Sequence, residues 1–263
     1  MKIKEIVCAL ERFAPLPLQD GFDNAGLQIG LTDAEATGAL LCLDVTEAVI
    51  DEAIMLGYNL IISHHPLIFR GYKSITGKDY VEQCIMKAIK NDIVIYSAHT
   101  NLDNAPEGVN FKIAEKIGLK NVQVLDVKEQ SCCEEMAGAG VIGELEMPEG
   151  ETEFLKRIKK TFEVGCIKHN KLTGREVQRV AICGGAGAFL MPLVIRQQAD
   201  VFITGEIKYH DYFGHDGEIL LAEIGHYESE QYTKEIFQTI IREMFPGLPV
   251  QATRVNTNPI KYM

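Results

Sequence analysis

Histidine and acidic residues cluster in three short segments of this sequence, and each cluster follows an apolar stretch. The first segment is SHHP, in which Ser63 separates the apolar run 59–62 from His64 and His65. Adjacent side chains point to opposite faces within a regular strand, but two imidazoles can converge where the chain has left the pleat. One buried histidine is more often a satisfied core residue than a ligand. Two in succession at a strand end favour a metal or catalytic role.

The other two segments each combine a histidine with an acid four residues later. AHTNLDN contains His99 and Asp103, and the aspartate has two interpretations. It can stabilise a turn, or it can balance the charge of bound metal and bridge two ions. In GHYESE, helical geometry would place His226 and Glu230 on one face, where both can bind a single ion.

Together these segments predict a dinuclear metal site. Three neutral nitrogens and two carboxylates suit Zn, Fe, Mn or Ni, and differ from the thiolate set of a structural zinc finger. Two ions about 3.5 to 4 Å apart that share a carboxylate and a water would use all five groups. Such ions lower the pKa of coordinated water and thereby produce a hydrolytic nucleophile. The predicted ligands are His64, His65, Asp103, His226 and Glu230.

A glycine-rich segment, CGGAG at 183–187, lies between a predicted strand and a predicted helix that begins near Ala188. Its backbone amides could hold a phosphate or carboxylate at the helix N-terminus. The segment lacks the Lys-Ser/Thr pair of a P-loop and the full dinucleotide-binding spacing. A plain tight turn is therefore the alternative.

Further candidates for proton transfer or substrate contact lie at strand ends. Glu206 and His210 follow the apolar run 200–204, and loops at this position of α/β sheets usually line the ligand crevice. An ordinary helix N-terminus with an acid in its first turn is the alternative for Glu206. His99 is the third candidate. We expect the two remaining histidines to be surface residues without a role; they are His169 and His215.

The elements that position these residues belong to an α/β protein. Short runs rich in β-branched residues alternate with amphipathic stretches of helical length, as in sheets covered by helices. Helical spacing of apolar residues occurs at 1–13, 46–56 and 80–90. The predicted strands are 38–44, 59–63, 93–97, 138–144, 177–183, 200–204 and 218–223.

Two domains are expected, because 263 residues exceed the usual size of one domain. Hydrophobic periodicity is weakest at 127–135, which divides the chain into 1–126 and 127–263, although the C-terminal segment could pack back on the first domain. A faint repeat, EAIMLGYNLIISHHP against LVIRQQADVFITGEI, suggests two copies of one α/β unit. Similarity this weak can also arise by chance, so duplication is a hypothesis.

Composition excludes several classes of protein. With 37 acidic and 26 basic residues the formal charge is -11, and no dense basic run is present to bind nucleic acid. Seven cysteines without C-x-x-C spacing indicate reduced thiols in a cytoplasmic protein. Charged residues interrupt the apolar positions of 1–13, which argues against a signal peptide. No run approaches the roughly 20 apolar residues of a membrane span, so we expect a soluble protein.

Six motifs in this order resemble the NIF-three-like family, whose members are often labelled GTP cyclohydrolase I type 2 homologues. They are DNAGLQ at 23–28, SHHP at 63–66, HTNLD at 99–103, the glycine stretch at 184–187, TGE at 204–206 with His210, and GH at 225–226 with SE at 229–230. The resemblance covers nearly the whole chain. It implies two similar α/β domains, a dinuclear metal centre between them with the same five ligands, and a toroidal homohexamer whose sites face an inner cavity.

The leading functional hypothesis is a metal-dependent hydrolase that acts on a nucleotide-like or other small substrate. The family label implies hydrolytic opening of a guanine ring, although the sequence contains no motif for the recognition of guanine. A non-catalytic protein for metal storage, delivery or cofactor assembly is the alternative, and a scaffold in which metal only stabilises the ring is a third interpretation. If the chain is an enzyme, replacing His99 or His210 by alanine should lower turnover while the protein retains its metal. A carrier should be insensitive to these two changes.

Overall fold

The computed structural model describes residues 1–128 and 136–263. It divides into two compact units, Met1–Leu102 with Thr233–Pro259 and Asp103–Tyr232 with Ile260–Met263. Each unit contains one mixed sheet with helices, so the predicted α/β class is confirmed.

The bounds of the regular elements are as follows. The strands are β1 (Gly26–Ile29), β2 (Ala39–Cys42), β3 (Leu60–Ser63), β4 (Val94–Ser97), β5 (Lys120–Val127), β6 (Gly138–Gly150), β7 (Lys168–His169), β8 (Glu176–Cys183), β9 (Val201–Thr204), β10 (Leu220–Glu223) and β11 (Val250–Ala252). The helices are α1 (Ile3–Phe13), α2 (Glu47–Leu56), α3 (Tyr80–Lys90), α4 (Thr100–Asp103), α5 (Val109–Ile117), α6 (Glu151–Thr161), α7 (Met191–Arg196), α8 (His226–Glu230) and α9 (Thr233–Met244).

The first unit has a five-stranded sheet in the order β1-β4-β3-β2-β11. All pairings are parallel except that of β1 with β4. Residues of β2, β3 and β4 are buried throughout, as expected for strands covered on both faces. Thr46 caps α2 by accepting a hydrogen bond from the Val49 amide, and Gly57 ends the helix in the left-handed conformation.

The second unit has a six-stranded sheet in the order β5-β6-β8-β9-β10-β7. Its centre, β8-β9-β10, is parallel, and the outer pairings are antiparallel. The apolar core contains buried residues from several elements, among them Ala181, Val194, Phe202, Ile219 and Leu221.

Both units contain three parallel strands in chain order, with a helix between the first strand and the second. In the first unit, the aligned carboxyl-terminal residues are Cys42, Ser63 and Ser97. In the second they are Cys183, Thr204 and Glu223. This shared topology agrees with the sequence repeat, because SHHP and TGE follow the middle strand of each set.

The units differ from the predicted division at residues 126 and 127. Residues 103–126 belong to the second unit because β5 pairs with β6, and 233–259 belong to the first because β11 pairs with β2. Part of the stretch in which the boundary was expected, 129–135, lies outside the described residues.

Two expectations from the composition concern the cysteines and membrane-spanning segments. Cys8, Cys42, Cys84 and Cys166 are unbridged thiols, whereas Cys132 and Cys133 lie outside the described residues. Among residues 1–128 and 136–263, no helix has the length and apolar character needed to cross a bilayer.

Candidate metal centre

Three histidines gather at the carboxyl edge of the first sheet. His64 and His65 follow β3, and His99 follows the neighbouring strand β4. Their ring centroids are separated by 5.0, 5.2 and 5.4 Å. One ring nitrogen from each lies within 4.8 Å of the other two, so this group could hold a cation.

The backbone around these rings is fixed by the ends of the parallel strands. The Ser63 and Ser97 hydroxyls form a hydrogen bond of 2.7 Å across the strands. The amide of His64 donates to the Cys42 carbonyl, and that of His65 donates to the Leu43 carbonyl. The two histidines therefore continue the ladder beyond the strand, where the pleat no longer directs their side chains apart.

Neighbouring acceptors orient the first two imidazoles. Nδ1 of His64 lies 2.8 Å from the Ala98 carbonyl oxygen, which can only accept, so Nδ1 carries the proton and the lone pair is on Nε2. Nδ1 of His65 donates to Asp44 Oδ1 at 2.7 Å. Burial opposes ionisation of Asp44, but hydrogen bonds from His65 and Thr257 outweigh it and lower the pKa of this carboxyl. Both rings thus offer Nε2 as a ligand atom.

His99 is oriented in the same way by Asp23. Its Nδ1 donates to Asp23 Oδ1 at 2.7 Å, and the amide and hydroxyl of Thr100 donate to Oδ2. Burial would raise the pKa of Asp23, but the hydrogen bonds from His99 and Thr100 lower it to about 2. An ionised Asp23 therefore holds the His99 ring with Nε2 as its free lone pair.

The second unit presents His226 and Glu230 from the short helix α8. Their i, i+4 spacing brings His226 Nε2 to 3.1 Å from Glu230 Oε2, as the sequence predicts. Nδ1 of His226 donates to Glu206 Oε1 at 2.7 Å. With Nδ1 protonated, the Nε2 lone pair of a neutral imidazole faces a carboxylate oxygen. Two acceptors at this distance are stabilised by a cation that both of them contact, either a proton or a metal ion.

Asp103, the last residue of α4, joins the same region of the second unit. A carboxylate oxygen of Asp103 lies within 4.8 Å of one from Glu230. The backbone carbonyl of Asp103 accepts from the side chain of Asn110, which in turn accepts from the Gly184 amide. The glycine stretch and Asp103 are therefore tied together through one asparagine.

The glycine stretch forms a tight turn rather than an anion cradle. Three of its amides donate to side chains of the protein and are not directed to a ligand. These bonds are Gly184 to Asn110 Oδ1, Gly185 to Ser229 Oγ and Gly187 to Thr204 Oγ1. The turn also makes room for the side chains of Glu230 and His226, since a Cβ on Gly185 would lie 2.3 Å from Glu230 Oε1 and 3.4 Å from His226 Nε2.

His210 occupies a different part of the second unit. It lies on the exposed 3-10 turn Tyr209–Tyr212, where its ring contacts those of Tyr209 and Phe213. The buried carboxylate of Glu223 holds this segment by accepting from the Ile207 amide and the Tyr212 hydroxyl. Among the residues that the structure describes, His210 belongs to none of the groups that could hold a metal ion.

A cleft of 840 Å³ adjoins this turn. Glu206, His210, His215 and the exposed ring of Phe189 are among its lining residues. Glu206 lines the cleft and also accepts the hydrogen bond from His226, so it orients the imidazole of His226. His215 is half-buried and pairs with Glu218, whereas His169 is exposed on β7.

The donor atoms fit a divalent cation. Neutral imidazole nitrogens and carboxylate oxygens form a mixed set that suits Zn, Fe, Mn or Ni. In each predicted histidine ligand, Nδ1 donates a hydrogen bond to an acceptor of the protein, as is usual for metal-bound imidazoles. The space that Gly185 leaves beside Glu230 Oε1 is the second fitting feature.

The family model of DUF34/NIF3, described as NGG1p interacting factor 3, matches residues 1–259. The chain belongs to the DUF34/NIF3 family. A GTP cyclohydrolase 1 type 2 homolog from Lactococcus lactis subsp. lactis (strain IL1403) is 32% identical to this NIF3 member, over 98% of both chains.

Solved structures give the same assignment. The crystal structure of Staphylococcus aureus protein SA1388 matches with a TM-score of 0.90 at 30% identity, covering 100% of this chain and 99% of that one. A Bacillus cereus protein related to NIF3 has a TM-score of 0.90 at 26% identity, with the same coverage. Reduced HcgD from Methanocaldococcus jannaschii has a TM-score of 0.79 at 27% identity, covering 97% and 98%.

The sequence did not predict which acidic residues accept the Nδ1 hydrogen bonds of the histidines in this NIF3 chain. Asp23 stands in the DNAGLQ motif, but its pairing with His99 spans 76 positions and leaves no local pattern. Asp44 ends a predicted strand beside β3. An acid at the end of that strand is a sequence signal that could have identified the partner of His65. Glu206, a candidate for substrate contact or proton transfer, contacts His226 directly.

Proposed function

We propose that this NIF3 chain is a metal-dependent hydrolase that binds two divalent ions through His64, His65, Asp103, His226 and Glu230. The observation that carries the proposal is the pairing of His226 Nε2 with Glu230 Oε2 at 3.1 Å, while Nδ1 is committed to Glu206. In the first unit, His64 and His65 offer Nε2 to a second cation, because Nδ1 of each is held by an acceptor.

Two ions account for the number and kind of ligands better than one does. A tetrahedral ion takes four groups and a catalytic one keeps a position open, so five ligands exceed a single site. A pair of divalent ions acidifies coordinated water and polarises the bond to be hydrolysed. Zn, Fe, Mn and Ni are all compatible with this donor set.

The proposal assigns proton transfer to His99. Asp23 fixes the orientation of the ring, which lies beside those of His64 and His65. Glu206 positions His226. His210 lines the cleft of the second unit and is assigned a substrate contact.

The substrate class follows from the family and not from a base-reading motif. Relatives carry the name GTP cyclohydrolase 1 type 2 homolog, so a nucleotide-like or similar small molecule is the first class to test. A metal carrier would use the same ligands. The difference is that a carrier has no use for the Asp23-His99 pair once the ions are bound.

The experiment compares His99→Ala with His169→Ala after reconstitution with Zn²⁺ or Mn²⁺. We expect both variants to retain metal, and only His99→Ala to lose turnover of GTP or phosphoesters, by about 100-fold or more. Elemental analysis and chromatography of the products measure the two effects. Turnover that is unaffected by His99→Ala, or absent from the metal-loaded wild type on every substrate, would contradict the hydrolase and favour the carrier.

We also infer a cytoplasmic homohexamer, as the family resemblance implies. Light scattering should give six times the chain mass of 29.3 kDa. A monomeric mass at micromolar concentration would remove the ring from the proposal and leave the metal site intact.

A further inference from the structure

Two exposed phenylalanines stand beside His99 in the first unit. Phe22 is 66% exposed and Phe69 is 45% exposed. Their ring centroids are 6.3 Å apart, and the Phe69 ring meets the His99 ring edge-on at 6.2 Å. An aromatic surface therefore continues from solvent to the three-histidine group.

The DNAGLQ motif holds this surface in place. The Asn24 side chain donates to the Ile68 carbonyl, and the Ile68 amide donates to Gln28 Oε1 at 3.1 Å. Gln28 Nε2 donates back to the Asn24 carbonyl at 2.7 Å. Both backbone groups of Ile68 are thus fixed by side chains of the motif, and Ile68 immediately precedes Phe69.

The same motif positions the other side of the surface. Phe22 precedes Asp23, whose carboxylate is bonded to His99 and Thr100. Both phenylalanines are therefore next to anchored residues, although their own rings remain open to water. Exposed, preorganised rings bind planar partners with little loss of conformational freedom, and stacking on them tolerates different ring types.

We propose that Phe22 and Phe69 form a subsite for the planar aromatic ring of the substrate, beside His99. The inference rests on the proposed function, since it assigns the ring-binding part of the same site. It also gives the DNAGLQ motif a role: Asp23 orients the proton carrier, while Asn24 and Gln28 position the stacking surface. Phe69 is the principal determinant, because its ring contacts both Phe22 and His99.

The test compares binding of GMP with that of ribose 5-phosphate, which has the same sugar phosphate without the ring. Calorimetry is done on Zn²⁺-reconstituted and metal-free protein, for wild type, Phe69→Leu and Phe22→Leu. Phe245→Leu is the matched control, because Phe245 is a half-buried phenylalanine of the first unit that lines a separate pocket beside α1.

We expect the wild type to bind GMP at least 10-fold more tightly than ribose 5-phosphate. Phe69→Leu should weaken GMP binding by about 10-fold, as loss of one stacking contact does. Phe22→Leu should have a smaller effect, and neither variant should change ribose 5-phosphate binding or metal content. Phe245→Leu should behave as the wild type.

Equal affinity for the two probes would overturn the subsite, and so would a loss of GMP binding only in Phe245→Leu. A change of native mass in Phe22→Leu or Phe69→Leu with unaltered GMP binding would show an assembly contact instead. The ring preference is measured without turnover. A chain that hydrolyses nothing yet shows the Phe69-dependent preference would refute the proposed function and retain the subsite.

Discussion

At the residue scale, each histidine of the candidate centre has Nδ1 committed to an acceptor, and the acceptors differ. His64 uses a backbone carbonyl, whereas His65, His99 and His226 use carboxylates. A carboxylate partner raises the basicity of the ring and fixes its orientation. The residues that accept these Nδ1 hydrogen bonds should therefore affect metal affinity measurably.

Replacing Glu206 tests this at His226. Glu206→Ala removes the acceptor of Nδ1, so we expect metal affinity to fall about 10- to 100-fold, while Glu206→Gln, which keeps an accepting oxygen, should lose less. Chelator competition measures the affinity. Asp211→Ala, an exposed acid on the same loop, is the control and should bind as the wild type. Equal affinities for all these proteins would show that Glu206 does not orient the ligand.

Replacing Gly185 tests the space beside Glu230. The added methyl group of Gly185→Ala would lie 2.3 Å from Glu230 Oε1, so we expect loss of metal binding in the second unit. Gly214→Ala is a matched control, because Gly214 also has positive φ but a methyl group added there would meet nothing within 4 Å. Elemental analysis should show a reduced metal content only for Gly185→Ala. Full metal content in that variant would mean that Glu230 is not a ligand as placed.

At the element scale, five of the seven strands that the sequence predicted are buried throughout, namely β2, β3, β4, β9 and β10. The runs 59–63 and 93–97 correspond to β3 and β4, whose residues are all buried, and α3 matches its predicted bounds. The prediction missed β1, β5, β7 and β11. These strands are short or largely exposed, so tertiary pairing and not hydrophobic pattern determines them.

The strand before the paired histidines should contribute strongly to stability. Ile61 of β3 is fully buried in the first core, so Ile61→Ala should lower the free energy of unfolding by about 2 to 5 kcal/mol. Ile54→Ala on α2 makes the same chemical change at a side chain that is 40% exposed, and about 1 kcal/mol or less is expected. Denaturant unfolding of metal-free protein measures both. Similar losses for both variants would contradict the assigned burial.

At the scale of the whole molecule, the faint sequence repeat was noticeable because both segments place their polar residues after a middle parallel strand, and duplication itself stays a hypothesis. The division of the chain into units was harder to predict. It depends on β5 pairing with β6 and on β11 returning to β2, and neither pairing has a local sequence pattern. The five candidate ligands were proposed from residue types and spacing and stay a prediction, whereas Asp23 and Asp44 were recognisable as partners of His99 and His65 only in the folded chain.

Metal content per chain, measured by elemental analysis after reconstitution, is the most direct test of the dinuclear centre. We predict about two ions in the wild type, fewer in His64→Ala and Glu230→Ala, and an unchanged content in His169→Ala, whose side chain is exposed on β7. Absence of bound metal in the reconstituted wild type, or equal content in all four proteins, would contradict the dinuclear centre.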